Sequence, residues 1–186
     1  VDNQLTSWES ADGLSFDTTL REYVDSKLNS DTRITVKKDA NDLPGKGLLT
    51  ASATKEFSTS PSAIFPSRYQ IKLIDEALKG AARDVSLVYE GSDGEKSLRA
   101  ITFIGARKPA AGLPDKDAAA LASTQAWPIS VSYYSESAKD DEQPVYQASF
   151  LMLENGITTD LVLDYGTYAM SGKLTKLELL TPGTCK

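Results

Sequence analysis

Phe150–Leu179 reads FLMLENGITTDLVLDYGTYAMSGKLTKLEL, and this stretch decides the fold class. Asn155-Gly156 stands between two apolar-rich runs, the strongest short-range signal for a β-hairpin. A turn of this kind calls for positive φ at both positions. Asp164-Tyr165-Gly166-Thr167 turns the chain again, into Tyr168–Leu180. The segment therefore reads as a three-strand antiparallel meander. Cys185, the single cysteine, follows just past its last strand.

The same signals recur upstream. Ala11-Asp12-Gly13 separates the extended runs Gln4–Trp8 and Leu14–Val24. In the second run Phe16, Thr18, Leu20, Glu22 and Val24 share one face, as a strand with period two requires. Thr32–Lys37 alternates Ile34 and Val36 with polar residues, Asp39–Gly47 reads as a loop, and Leu48–Ala53 as a weak strand. Strands are also expected over Asp84–Tyr89, Lys96–Gly105 and Trp127–Ser135. Pro128 favours an edge position for the last of these. Lys108–Gln125 reads as a long connection.

One helix stands out, Ser67–Lys79. Ser67 serves as its N-cap, Ile71, Ile74 and Leu78 form an apolar stripe, and Gly80 closes the C-terminal end. The stripe must be buried, and the sheet offers the only large apolar surface. The pattern gives about ten or eleven strands with no βαβ alternation. There is no fixed-period repeat and no linker. The expectation is one all-β antiparallel domain over residues 1–186, its sheet strongly curved, with the helix on the concave side.

Twenty Lys and Arg stand against 26 Asp and Glu, a net charge of −6. That balance argues against a nucleic-acid partner, which needs a basic face, and against strong attraction to anionic lipid. No apolar run approaches the roughly 20 residues that span a bilayer, and Val1-Asp2-Asn3-Gln4 does not open a signal peptide. The chain reads as cytosolic, or mature, or truncated at its start. One cysteine is unremarkable in the cytosol and suggests a missing partner in an exported protein. Histidine is absent, which removes the commonest general base and the commonest metal ligand. No cofactor is indicated.

Six constellations bear on possible chemistry. Ser52 and Lys55 have Ser-x-x-Lys spacing, but that motif works on a helical turn and the surroundings read as strand or loop. Asp39, Asn41 and Asp42, and separately Asp140-Asp141-Glu142, lack the spacing of a calcium loop and read as plain turns. Gly91-Ser92-Asp93-Gly94 lacks the strand–loop–helix context of a phosphate cradle. Glu154, Asp160 and Asp164 are carboxylates within one hairpin, the last two sharing a face, and a solvent-facing edge explains them. Trp127, Tyr133, Tyr134 and Tyr146 read as core or rim rather than as a sugar platform.

Three stretches match one family pattern. They are Ile64-Phe65-Pro66-Ser67 leading into the helix; Tyr89-Glu90-Gly91-Ser92-Asp93-Gly94-Glu95-Lys96; and Glu154-Asn155-Gly156-Ile157 through Asp160–Gly166, with Gly172-Lys173-Leu174, Lys176-Leu177-Glu178 and Cys185. Leu5-Thr6-Ser7-Trp8-Glu9 with Asp12-Gly13 also fits. Together they resemble the EipB-like family of periplasmic proteins of Gram-negative bacteria. Thr159 and Thr167 depart from it, standing where the family often has Arg and Asp.

The resemblance implies a bent antiparallel β-spiral, half-barrel-like in form, and a periplasmic role in cell-envelope integrity. It implies further strands upstream of Val1, and a cysteine there that bonds Cys185. It supplies no catalytic residues. The first functional expectation is a non-enzymatic protein acting through contacts with envelope proteins or envelope components. The second is a lipocalin-like carrier holding an apolar ligand in the curved sheet. The third is a hydrolase of unassigned mechanism.

Overall fold

A computed structural model describes residues 2–38, 44–89, 97–109, 125–139 and 142–174. These form twelve antiparallel strands and one helix: β1 (Asp2–Glu9), β2 (Ser15–Val24), β3 (Lys27–Lys37), β4 (Gly45–Thr50), β5 (Thr54–Thr59), α1 (Pro66–Leu78), β6 (Arg83–Tyr89), β7 (Ser97–Ile104), β8 (Lys108–Pro109), β9 (Gln125–Ser135), β10 (Tyr146–Leu153), β11 (Thr158–Asp164) and β12 (Ala169–Gly172). One sheet runs β1-β2-β3-β4-β5 and the other β12-β11-β10-β9-β7-β6, with β8 on β9. Neither closes on itself among the described residues. The antiparallel all-β expectation holds, with β5 and the two-residue β8 added to the strands legible beforehand.

The chain groups into two compact units. One is drawn from Val1–Ile71, Val85–Ala100 and Tyr134–Glu142, the other from Lys72–Asp84, Ile101–Tyr133 and Gln143–Lys186.

In the first unit, β1 to β5 form a meander. The Asp12-Gly13 turn is closed by Gly13 N–H donating to the Ser10 carbonyl at 2.8 Å, with Gly13 at φ +72°. The Ser10 hydroxyl and the Leu14 N–H both donate to the Asp12 carboxylate, which holds it below the ordinary carboxylate range. Asp25-Ser26 makes the next hairpin, both residues at positive φ (49° and 64°). No Gly or Asn marks that turn, which is why the sequence does not announce it.

The apolar face of this sheet carries Phe16, Ile34 and Val36, each 4% exposed or less. Phe65 stacks on Phe16 at 5.3 Å between centroids, Tyr89 meets both rings edge-on, and Phe57 stacks on Tyr89 at 6.2 Å. Burying each such ring contributes about 1.5–3 kcal/mol. Ile64 bridges to β6: its N–H donates to the Leu87 carbonyl at 2.8 Å, and its carbonyl accepts from the Tyr89 N–H at 2.9 Å. Phe65 is thereby fixed within the cluster.

The helix corrects two expectations. It begins at Pro66, whose missing N–H costs nothing in the first turn. Its cap is not Ser67. The carboxylate of Glu9, at the end of β1, accepts from the N–H groups of Ser67 (2.9 Å) and Arg68 (3.2 Å). A carboxylate there also sits well against the positive end of the helix dipole.

Nor is the buried stripe Ile71, Ile74 and Leu78. Tyr69, Leu73 and Ala77, spaced four apart, are 6% exposed or less, whereas Ile71 is 49% and Leu78 60% exposed. At 100° per residue the two stripes lie far apart round the helix. Ile74 lies between the two and is half-buried, and the buried stripe is the harder to read because Ala77 is small and Tyr69 carries a hydroxyl. Gly80, at φ +79°, ends the helix as its sequence position implies.

In the second unit, β10, β11 and β12 form the three-strand meander read from the sequence, and β9 pairs with β10 on its other side. The Asn155-Gly156 turn differs in detail. Only Gly156 has positive φ (+82°). Its N–H donates to the Leu153 carbonyl, and the Leu153 N–H donates to the Ile157 carbonyl, each at 2.9 Å. The loop is therefore three residues with Gly156 in the left-handed position, not two residues with both left-handed. A bulge follows, where the β10–β11 register shifts between Ser149 and Leu151 and Asp160 takes φ +52°.

Pro128 sits in an interior strand, flanked by β10 on one side and by β7 and β8 on the other. It is tolerated because β7 ends at Ile104 and β8 starts at Lys108. The Pro128 carbonyl accepts from the Gly105 N–H at 2.8 Å, and its ring fills the space a Cβ at residue 105 would need.

Candidate functional site

The polar face of the five-stranded sheet carries a charged array. Strand alternation places Asp17 and Arg21 of β2, Asp31, Arg33, Thr35 and Lys37 of β3, Lys46 and Leu48 of β4, and Glu56 and Ser58 of β5 on this face. Arg33 grips Asp17 with two nitrogens, at 2.5 and 3.1 Å, and the bond raises its already high pKa. Arg21 reaches Asp31 at 3.3 Å. Pairs this exposed contribute little to stability. They do cancel charge on that part of the face.

At the other end the pattern breaks. Lys37 of β3 lies directly opposite Lys46 of β4, and Lys46 lies opposite Ser58 of β5. No carboxylate of the described residues pairs with either lysine. The next row is Thr35, Leu48 and Glu56. These two rows line an open groove of about 880 Å³. Lys38 borders it too, but its ammonium donates to the Ala63 carbonyl and stands 5.8 Å from the Phe65 ring centre. The sequence reading singled out none of these lysines. Their signal was the polar phase of two alternating strands, legible only once the β3–β4 register is known.

Among the described residues, the sequence candidates do not assemble into a catalytic set. Ser52 lies in the turn between β4 and β5 and Lys55 on β5, both exposed. Asp39, Asn41, Asp42, Gly91-Ser92-Asp93-Gly94, Asp140-Asp141 and Cys185 fall outside the described residues. Glu154 is bonded to Arg107. Asp164 accepts from the Gly166 N–H at 2.8 Å, shaping its own turn. The bulge at Asp160 breaks the alternation that would have set Asp160 and Asp164 on one face. Thr159, where the family pattern often has Arg, is 2% exposed. Among the described residues no group of three His, Cys, Asp or Glu could hold a metal, and no helix is long and apolar enough to cross a membrane.

The aromatic residues are engaged by arginines or by each other. Trp127 is buried with the Arg107 guanidinium over its ring at 5.1 Å, and Arg99 stands over Tyr134 at 5.4 Å. Tyr133, Tyr146, Tyr165 and Tyr168 stack in sequence, with centroids 4.4, 5.3 and 4.9 Å apart. Their faces cover one another, so the row is packing rather than a platform for a sugar ring. A smaller apolar groove of about 460 Å³, lined by Leu78, Ala82, Ile104, Ala106 and Trp127 with Arg107 at its rim, lies beyond the end of α1.

These features define an antiparallel β-sheet protein with open grooves and one capped helix. The chain belongs to the EipB-like family, whose pattern matches residues 1–181. It is 30% identical over 190 residues to the cell envelope integrity protein EipB of Brucella abortus (strain 2308), covering all of this chain and 66% of that protein. The chain thus spans about two-thirds of that relative's length. It is also similar to the crystal structure of a β-barrel-like protein of a domain of unknown function from Brucella abortus. There the TM-score is 0.83 at 26% identity, over 96% of this chain and 73% of the other.

Proposed function

We propose that this protein supports the integrity of the bacterial cell envelope from the periplasm, without catalysis, by contacts with envelope proteins or envelope components. Its family membership and the name of its Brucella relative support the envelope role. The observation that carries the non-carrier, contact-based reading is the apolar face of the five-stranded sheet. Phe16, Phe57, Phe65 and Tyr89 occupy it with mutually packed rings, where a carrier would keep a cavity for its ligand. The apolar groove beyond α1 favours the carrier alternative, and it is small for a lipid chain with its headgroup.

A disulfide joining Cys185 to a cysteine outside these 186 residues belongs to the same proposal, since a single cysteine has no partner within the chain. It rests on the family resemblance and the oxidising periplasm.

Deleting the gene tests the envelope role. The deletion strain should become more sensitive to detergent and to a cell-wall antibiotic, and the exported full-length protein should restore resistance. A form retained in the cytosol should not. Restoration by the retained form would refute a periplasmic site of action.

A further inference from the structure

We infer that the groove on the charged face of β3, β4 and β5 binds a phosphate group, held by Lys37 and Lys46. The inference leans on the proposed envelope role only for the source of the phosphate, a phosphorylated sugar or a lipid headgroup.

Like charges directly opposite on neighbouring strands destabilise a sheet. Lys37 and Lys46 are such a pair, in a chain with net charge −6 and acidic residues in excess. The contrast is on the same face, where Arg33 and Arg21 each have an aspartate partner. Two ammonium groups from opposed positions can converge on one ligand, because directly paired residues lie about 5 Å apart at the backbone. Lysine ammonium groups act as point charges, suited to a phosphate, whereas a lone carboxylate is matched best by the planar fork of Arg. A phosphate dianion would neutralise both lysines; a carboxylate would neutralise one.

The rest of the groove fits this ligand. Ser58 continues the Lys37–Lys46 row with a hydroxyl donor, and Thr35 offers another in the next row. Leu48, 38% exposed, gives apolar contact for the carbon skeleton bearing the phosphate. Glu56 lies in the second row and repels an anion there, which restricts the phosphate to the lysine row.

The test is thermal unfolding of the purified full-length protein in sodium phosphate and in sodium chloride at matched ionic strength. Lys46→Glu and the double variant Lys37→Gln/Lys46→Gln are run alongside. Phosphate stabilises proteins generally by exclusion from their surfaces, so the readout is the difference between wild type and variants. Wild type should gain about 3–6 °C more than either variant at phosphate ten times its dissociation constant. Lys46→Glu should melt above wild type in chloride, because repulsion becomes attraction.

Glucose 1-phosphate in the same assay, and sedimentation with phosphatidic-acid vesicles, distinguish the sources. Lys46-dependent binding in the first arm supports a phosphorylated sugar, and in the second alone a lipid headgroup. Equal phosphate gains in wild type and both variants, with no Lys46-dependent binding in either arm, would overturn the inference. That result would leave the deletion phenotype intact, so failure of the site and failure of the envelope role are separately visible.

Discussion

Glu9 caps the helix through Ser67, a residue 58 positions away in sequence, by accepting its backbone N–H at 2.9 Å. The second carboxylate oxygen accepts from Arg68, and the Arg68 guanidinium in turn donates to the Ala11 carbonyl. The Arg68 side chain also lies against Gly13, where an added Cβ would come within 2.8 Å of it. The first hairpin and the start of the helix are thus one bonded unit. Glu9→Ala should lower stability by about 1–2 kcal/mol, the range for loss of a helix cap. Ser67→Ala should change it little. The two midpoints in urea decide between this assignment and a cap formed by Ser67.

Phe57 lies over its cross-strand partner Gly47. A Cβ on residue 47 would fall 2.2–2.6 Å from three ring carbons. The ring is also stacked on Tyr89, so it cannot swing aside without unpacking the aromatic cluster. Gly47→Ala should therefore destabilise by about 1–3 kcal/mol, the usual cost of overpacking. Ordinary strand preference would make the same change favourable, so an unaltered or raised melting temperature would refute the placement of the ring.

The helix face gives a paired comparison. Leu73→Ala should cost about 2–4 kcal/mol, since the side chain is 2% exposed. Ile71→Ala, at a position 49% exposed, should stay within about 0.5 kcal/mol. Denaturation curves of the two variants showing the reverse order would mean the helix presents the Ile71–Leu78 stripe inward after all.

Two glycines separate backbone strain from strand preference. Gly156→Val should destabilise by more than about 1 kcal/mol, because a β-branched residue resists φ near +82°. Gly172→Val, in strand β12 with open space around its Cα, should be neutral or stabilising. Equal effects would mean that the three-residue loop at Glu154–Gly156 is wrongly described.

Local chemistry made much of this fold readable. Gly13, Gly80, Gly156 and Gly166 all adopt the positive φ that their turn or cap positions imply. What stayed hidden depended on partners distant in sequence. The cap of α1 comes from β1, so Ser67 looked like the natural candidate. Pro128 is accommodated by a gap between two other strands, so it looked like an edge residue. Asp25-Ser26 turns the chain with two non-glycine residues, against local preference. The Lys37–Lys46 pair exists only through the β3–β4 register, and nothing in either strand alone reveals it. The family resemblance was legible from the turns and the C-terminal segment, whereas the site chemistry was not.

A non-catalytic role has a quantitative signature in the cell. An enzyme turns over and can sustain function when scarce, whereas a protein acting by contact is needed in proportion to what it binds. The most direct measurement is detergent resistance of the deletion strain as the exported protein is titrated from zero to its native abundance. Action by contact predicts resistance that rises in step with abundance and is complete only near the native level. Full resistance at a few per cent of that level would contradict it.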